Sequence, residues 1–210
     1  MDSEPARIRR YQPADLGEVY RICVQTADNG RDGTALFRDP RLPGDVYAAP
    51  YALFEPSLAL VAQDAAGVGG YLVASLDSRA FDQRLERDWW PGLRARYPEP
   101  RPEIARELSV PEQFALHYIH HPRGTDAEMA RHYPSHLHIN LLPRLQGRGM
   151  GRQLIEELIT SIRDYGSPGV HLAVGHANQR AAGFYRHVGL TEMPGTDLHI
   201  FAMALTGQPL

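Results

Sequence analysis

Between Gln146 and Arg152 the chain reads Gln146-Gly147-Arg148-Gly149-Met150-Gly151-Arg152, three glycines alternating with longer side chains. Behind them Leu154, Ile155, Leu158, Ile159 and Ile162 recur at helical spacing. Glycines at a helix start leave the amide hydrogens of the first turn uncovered, and the helix dipole adds partial positive charge there. Such a stretch can cradle a phosphate. The bland alternative is a glycine-rich helix entry with no ligand. Of the phosphate-binding designs, a P-loop needs a lysine after its last glycine, and the chain contains no lysine at all. A dinucleotide fingerprint would require a third glycine where Arg152 stands, and no acidic residue follows the next strand, VHLAVGHAN from Val170, to hold a ribose.

A second stretch, Asn178-Gln179-Arg180-Ala181-Ala182-Gly183-Phe184-Tyr185-Arg186-His187-Val188-Gly189-Leu190, also has a structural reading. Asn178 suits a helix N-cap, Ala181, Phe184 and Val188 form a stripe, and Gly189 suits a helix end. Taken together, the two stretches resemble the signatures Q/R-x-x-G-x-G/A and N-x-x-A-x-x-F-Y-x-x-x-G-F/L of the GNAT N-acetyltransferase superfamily, in that order and at that spacing. The resemblance implies an α/β (α+β) acyl-CoA N-acyltransferase fold, a mixed central sheet with helices on both faces, and acetyl-coenzyme A or coenzyme A as the cofactor. It places the pyrophosphate on residues 146–152, the coenzyme arm against Asn178 and along Leu141 and Leu142 as an added strand, and the thioester sulfur near Tyr185. It also makes His138, on the central strand, a candidate base or holder of a relay water, beside a plainer reading as a hydrogen-bonded histidine in the cavity wall.

The elements that must position these residues follow from the flanking pattern. Residues 6–12, ARIRRYQ, alternate as a strand, and Pro13-Ala14-Asp15 opens a helix whose Leu16, Val19, Tyr20, Cys23 and Val24 share a face. From Asp28 to Pro56 the Gly-, Pro- and Asp-rich composition predicts a long connection, either ordinary or the wall of an acceptor site. Ser57 to Gln63 and Val68 to Leu76 predict a hairpin around Asp64-Ala65-Ala66-Gly67. About residues 78–135 then intervene as an inserted helical cap containing FDQRLERDWWPGLRARYP. His136, His138 and Asn140 alternate on the central strand, which ends at Pro143. Beyond it, Val170 to Val174 should splay away and open a slot, Gly195 and Asp197 should form a turn, and Leu198 to Leu205 should be the last strand, with Gly207–Leu210 dispensable.

The segments Y-R-I-C, G-D-V-Y, G-V-G-G-Y, L-D-S-R-A-F, W-W-P-G-L and R-Y-P narrow the likeness. They look like the acetyltransferase-like domain attached to animal O-linked N-acetylglucosaminidase and its free-standing bacterial relatives. The intact glycine loop favours the bacterial, coenzyme-binding branch.

With 210 residues, 43% of them hydrophobic, and a formal net charge of −3, the expectation is one soluble domain spanning residues 1–210. The pattern suggests no nucleic-acid or membrane partner. The lone cysteine, Cys23, fits a reducing, cytoplasmic compartment and buried packing. His117, His120 and His121 have metal-ligand spacing, but no cysteine joins them and Pro122 cuts the helix, so no metal is expected. Asp28, Asp45, Glu55 and Asp77 are acidic candidates for holding a cationic amine, each with a competing role in a loop or cap.

Direct transfer requires that an amine lose a proton and that the departing thiolate find a donor. Tyr185 would be that donor through a late-strengthening hydrogen bond, since full proton transfer to sulfur is uphill by about 2 kcal/mol. A helix terminus supplies about 2 kcal/mol per charge at best, whereas micromolar binding needs about 8 kcal/mol, so several amides and the coenzyme arm must share the binding. The expected function is acetyl transfer to an amine of a small molecule or peptide by a monomer or homodimer. A catalytically weak coenzyme A sensor or interaction module is the alternative.

Overall fold

A computed structural model describes residues 5–194 and 198–205. The expected turn at Gly195 and Asp197, and the segment from Gly207 to Leu210, lie outside the described residues. In chain order the strands are β1 (Arg7–Arg10), β2 (Leu60–Asp64), β3 (Gly67–Ser75), β4 (Ser135–Leu141), β5 (Gly169–Val174), β6 (Thr191–Met193) and β7 (His199–Ala204). The helices are α1 (Leu16–Gln25), α2 (Leu42–Tyr47), α3 (Ala49–Phe54), α4 (Ser78–Asp88), α5 (Trp90–Arg96), α6 (Pro102–Ala105), α7 (Val110–His120), α8 (Ala127–His132), α9 (Met150–Asp164) and α10 (Gln179–His187).

The strands form one mixed sheet in the order β1-β2-β3-β4-β5-β7-β6. Every neighbouring pair is antiparallel except β4 and β5, which run parallel. β3 is an interior strand, and its alternating side chains feed two cores. Tyr71 and Val73 join Val19, Ile22, Tyr51 and Phe81 under α1 to α5, whereas Leu72 and Ala74 join Leu154, Leu158, Ile162 and Phe201 under α9 and α10. A near-continuous apolar run signals a strand buried on both faces, and in GVGGYLVAS every residue from Val68 to Ser75 is buried. No helix among the described residues is long and apolar enough to cross a membrane.

Two local expectations need correction. The Asp28 to Pro56 connection contains α2 and α3. Pro43 and Pro50 lie in the first turns of these helices, where a missing amide hydrogen costs nothing, so these prolines start helices rather than break them. The run from Phe81 is two helices, α4 and α5, parted at Trp89, because Pro91 falls at the start of the second. The hairpin forms as β2 and β3, with Pro56–Leu58 as a short helical turn before β2. The helices between β3 and β4, α4 to α8, occupy the position expected for the cap.

Candidate active site

β4 and β5 pair over only two rungs, Ser135 with Val170 and His136 with His171. Beyond His136 the strands diverge, and the edge of β4 turned towards β5 has no strand partner. The slot so formed opens into a cleft of about 590 Å³ lined by Leu137 to Leu141, by Leu172 to Val174, by the glycine loop, by α10 and by Thr26, Ala27, Asn29 and Gly30 after α1. Unpaired strand edges and a groove beside them suit an extended ligand that adds backbone-like hydrogen bonds.

At one end of the slot stands the loop. Gly147 and Gly149 have φ of +70° and +78°, where any other residue is strained, and Gly149 is the N-cap of α9. A Cβ at Gly151 would lie 3.0 Å from Cζ of Phe184, so this glycine brings α9 and α10 together. Gln146 is tied twice. Its Nε2 donates to the Leu141 carbonyl at 2.6 Å, and its Oε1 accepts from Nη2 of Arg180 at 2.5 Å. Arg152 lines the cleft and pairs with Glu156 at 2.7 Å. The first-turn amides of α9 are open to an anion by helix geometry alone.

Three of the residues expected at the coenzyme do not line the cleft. Leu142 is buried in the α1-side core and its amide donates to Gly69 at 2.8 Å, so the chain has already turned away from the slot. Met150 is buried in the α9-side core, which leaves only its backbone near the loop. Arg148 is an exposed residue of the loop.

Asn178 caps α10, its Oδ1 accepting from the Ala181 amide at 3.1 Å, and it lines the cleft. Tyr185 is 7% exposed, with its ring beside Phe184 and Phe201. Its hydroxyl has no hydrogen-bond partner among the described residues, yet it is absent from the buried atoms that lack one, so it opens to the cleft it lines. Burial raises its pKa and keeps it a proton donor.

Across β4, His136, His138 and Asn140 do share a face, on the α1 to α3 side. His138 lines the cleft; burial, and then the proximity of His171, depress its pKa to about 4, so it is neutral at physiological pH. The Tyr51 hydroxyl lies 2.7 Å from Nε2 of His136 and 3.2 Å from Nε2 of His138. Asn140 Nδ2 donates to the Tyr71 hydroxyl at 2.6 Å. Tyr51, on α3, was hidden from sequence reasoning because its segment reads as a loop. Tyr47, four residues earlier at the end of α2, also faces the site, its ring 6.0 Å from that of His138.

The acidic candidates are scattered. Asp45 is 2% exposed and does not reach the cleft, which corrects its assignment to the acceptor. Its Oδ1 accepts from Tyr20 at 2.5 Å, and its Oδ2 accepts from Tyr97 at 2.9 Å and Arg96 at 3.3 Å. Its carbonyl accepts from Nε1 of Trp89 at 2.9 Å. A Cβ at Gly44 would fall 2.3 Å from Cδ1 of Tyr20. The segments Y-R-I-C, G-D-V-Y, W-W-P-G-L and R-Y-P therefore meet at one buried joint that fastens α5 to α1 and α2. Asp77 is exposed and caps α4, accepting from the Ala80 amide at 3.0 Å, and it too lies off the cleft. Glu55 is half-buried and burial raises its carboxyl. Asp28 pairs with Arg31 at 3.2 Å, next to the cleft residues Ala27 and Asn29.

In the cap, His120 Nε2 bonds the Tyr97 carbonyl at 2.8 Å, and His121 Nε2 bonds Glu99 at 2.6 Å. Cys23 is buried, and that burial pushes its thiol up to about 12, far from the range of a nucleophile.

Comparison with known proteins gives a consistent picture. The family model described as the Acetyltransferase (GNAT) family matches residues 114–190. Protein O-GlcNAcase of Rattus norvegicus and of Mus musculus are each 24% identical over 186 residues, 89% of this chain. The chain spans only 20% of the length of these curated relatives. The crystal structure of SsHAT superposes with a TM-score of 0.86 at 36% identity, covering 96% of this chain and 99% of that one. Salmonella typhimurium yncA, solved with its cofactor acetyl-CoA, shares the fold at a TM-score of 0.55 and 16% identity, covering 99% of this chain and 98% of its own.

Proposed function

The chain belongs to the acetyltransferase (GNAT) family, and from that premise we propose that it binds acetyl-coenzyme A and transfers the acetyl group directly to an amine of a small molecule or peptide. The single observation that carries this reading is the slot between β4 and β5, which runs from the glycine loop to a point where Tyr185 and His138 both open onto it.

The loop amides from Gly147 to Arg152, the guanidinium of Arg152 and the tied Gln146 would receive the pyrophosphate. The free edge of β4 from Leu137 to Leu141 would pair with the pantetheine arm, and Asn178 would flank it. In the transfer, the amine nitrogen bonds to the thioester carbonyl carbon, and the carbon–sulfur bond breaks. The sulfur leaves as thiolate, steadied by the Tyr185 hydroxyl, and the proton lost by nitrogen passes to His138, directly or through one water. Because His138 is a weak base, the amine must enter neutral, so His138 takes its proton as the new bond acidifies it. Holding acceptor and thioester in line supplies much of the remaining rate. No acyl-enzyme is needed, and the buried Cys23 offers none. A reducing compartment such as the cytoplasm suits this chemistry.

One observation favours a second reading, a coenzyme A-binding sensor. Four of the six segments that narrow the likeness to the O-GlcNAcase domain meet at the Asp45 joint rather than at the cleft. Calorimetric titration with acetyl-coenzyme A and coenzyme A, followed by thiol-release assays over an amine panel, separates the two. Binding with acceptor-dependent release supports the enzyme. Binding without release from any amine supports the sensor, and no binding overturns both.

A further inference from the structure

We propose that Tyr51, His136 and Ser78 are positioning residues that hold His138 in a single tautomer, with Nε2 protonated and the Nδ1 lone pair presented to the cleft. The inference rests on the reading of His138 as proton acceptor and adds the groups that aim it.

The direction of each hydrogen bond follows from the far end of the chain of contacts. The carbonyl oxygen of Pro134 can only accept, and Oγ of Ser78 lies 2.6 Å from it, so the one hydroxyl proton of Ser78 points there. Oγ of Ser78 is also 2.8 Å from Nδ1 of His136, and with its proton committed it must accept. His136 is therefore protonated on Nδ1. Burial and the nearby His171 and His138 keep this ring neutral, so its Nε2 carries a lone pair. The Tyr51 hydroxyl, 2.7 Å away, donates to that lone pair. Its proton is then spent, and Nε2 of His138, at 3.2 Å, must donate to the Tyr51 oxygen.

A neutral imidazole protonated at Nε2 is bare at Nδ1. Nδ1 of His138 has no partner among the described residues, and the one buried side-chain polar atom there without a partner is Oη of Tyr11. Nδ1 of His138 thus opens to the cleft that His138 lines. Left to itself the ring would divide between two tautomers, one of which offers the cleft a proton instead of a lone pair. The relay removes that choice. It does not drain protons away from the cleft, because the next station, His136, is buried and resists a charge.

The test uses the full-length protein with histidine-labelled nitrogen and reads imidazole tautomers by NMR, His138→Gln giving the assignment. In the wild type His138 is expected wholly as the Nε2–H form. Tyr51→Phe keeps the ring that stacks on Phe81 at 4.4 Å and deletes the hydroxyl, so His138 should become a mixture of tautomers. Ser78→Ala keeps Tyr51 and both histidines but deletes the hydroxyl that bonds the Pro134 carbonyl and Nδ1 of His136, so it should also produce a mixture and stands in if the first variant fails to fold. With Tyr51→Phe, kcat should fall in proportion to the Nε2–H fraction lost, roughly twofold for an even mixture, at unchanged KM for acetyl-coenzyme A, against the roughly 10²- to 10⁴-fold attributable to a general base itself. An Nδ1–H form in the wild type, or an unchanged tautomer in both variants, overturns the proposal. A tautomer that shifts while kcat does not supports the relay and instead overturns His138 as the proton acceptor.

Discussion

Nη2 of Arg180 donates to Oε1 of Gln146 at 2.5 Å while Nε2 of the same glutamine holds the Leu141 carbonyl at 2.6 Å. One side chain thereby joins the end of β4, the glycine loop and α10. The pair links the two sequence stretches that carry the family likeness, and it does so at the mouth of the slot. Gln146→Ala should leave the fold intact and loosen the loop. The lost net interaction of about 1 kcal/mol predicts roughly fivefold weaker coenzyme binding, measured by calorimetry.

At Gly149, φ of +78° is a left-handed conformation that a side chain adopts only with strain, although a Cβ there would meet nothing closer than 3.9 Å. Gly149→Glu sets a carboxylate against the pyrophosphate and adds about 1–2 kcal/mol of backbone strain. Coenzyme binding should disappear from a calorimetric titration, and retention of wild-type affinity would refute the cradle.

The Tyr185 hydroxyl opens to the cleft and has no hydrogen-bond partner among the described residues, so none of their contacts depends on it. Tyr185→Phe should lower kcat by roughly 10²-fold with coenzyme affinity and thermal midpoint nearly unchanged. Single-turnover thiol release is the measurement, and equal rates in the two proteins would remove Tyr185 from the chemistry.

Burial lowers His136, His138 and His171 below their ordinary value, His138 to about 4. As pH falls below about 6.5, the unfolded chain binds protons that the folded chain refuses, so these rings weaken the fold progressively down to the folded pKa. Glu55 and Asp82, whose carboxyls burial raises, act in the opposite sense. The difference between proteins isolates the effect. Urea unfolding at about pH 7 and about pH 5 should show a larger acid loss in the wild type than in His138→Gln, by at most about 1.4 kcal/mol per pH unit.

The Asp45 joint predicts a change in stability without a change in binding. Asp45→Asn removes the charge that Tyr20, Tyr97 and Arg96 surround, at a cost of about 2 kcal/mol. The urea midpoint should drop while the coenzyme affinity of the folded protein stays the same.

The glycine loop, the Asn178 cap and the shared face of His136, His138 and Asn140 were legible because each is written in neighbouring residues, whereas the mixed sheet followed from the family resemblance. Composition misled where it was ambiguous. Pro43 and Pro50 look like chain breakers but sit in first turns, and that hid Tyr51. Asp45 looked like an acceptor contact because its three partners come from segments far away in the chain. Leu142 seemed to continue the strand, but its bond to Gly69 is a tertiary contact that no local pattern records. The direction of the Ser78–His136–Tyr51–His138 contacts needed atomic distances, since it is fixed by a carbonyl at the far end.

With only two rungs between β4 and β5, the plane of the sheet is nearly divided into β1-β2-β3-β4 and β5-β7-β6. A pantetheine arm laid in the gap is then a missing plank as well as a reagent. Its occupancy would set how freely the halves twist against each other and how fast the backbone amides beyond His136 exchange with solvent. The supply of coenzyme would then govern the protein's persistence as well as its turnover, through mass action on the folded state.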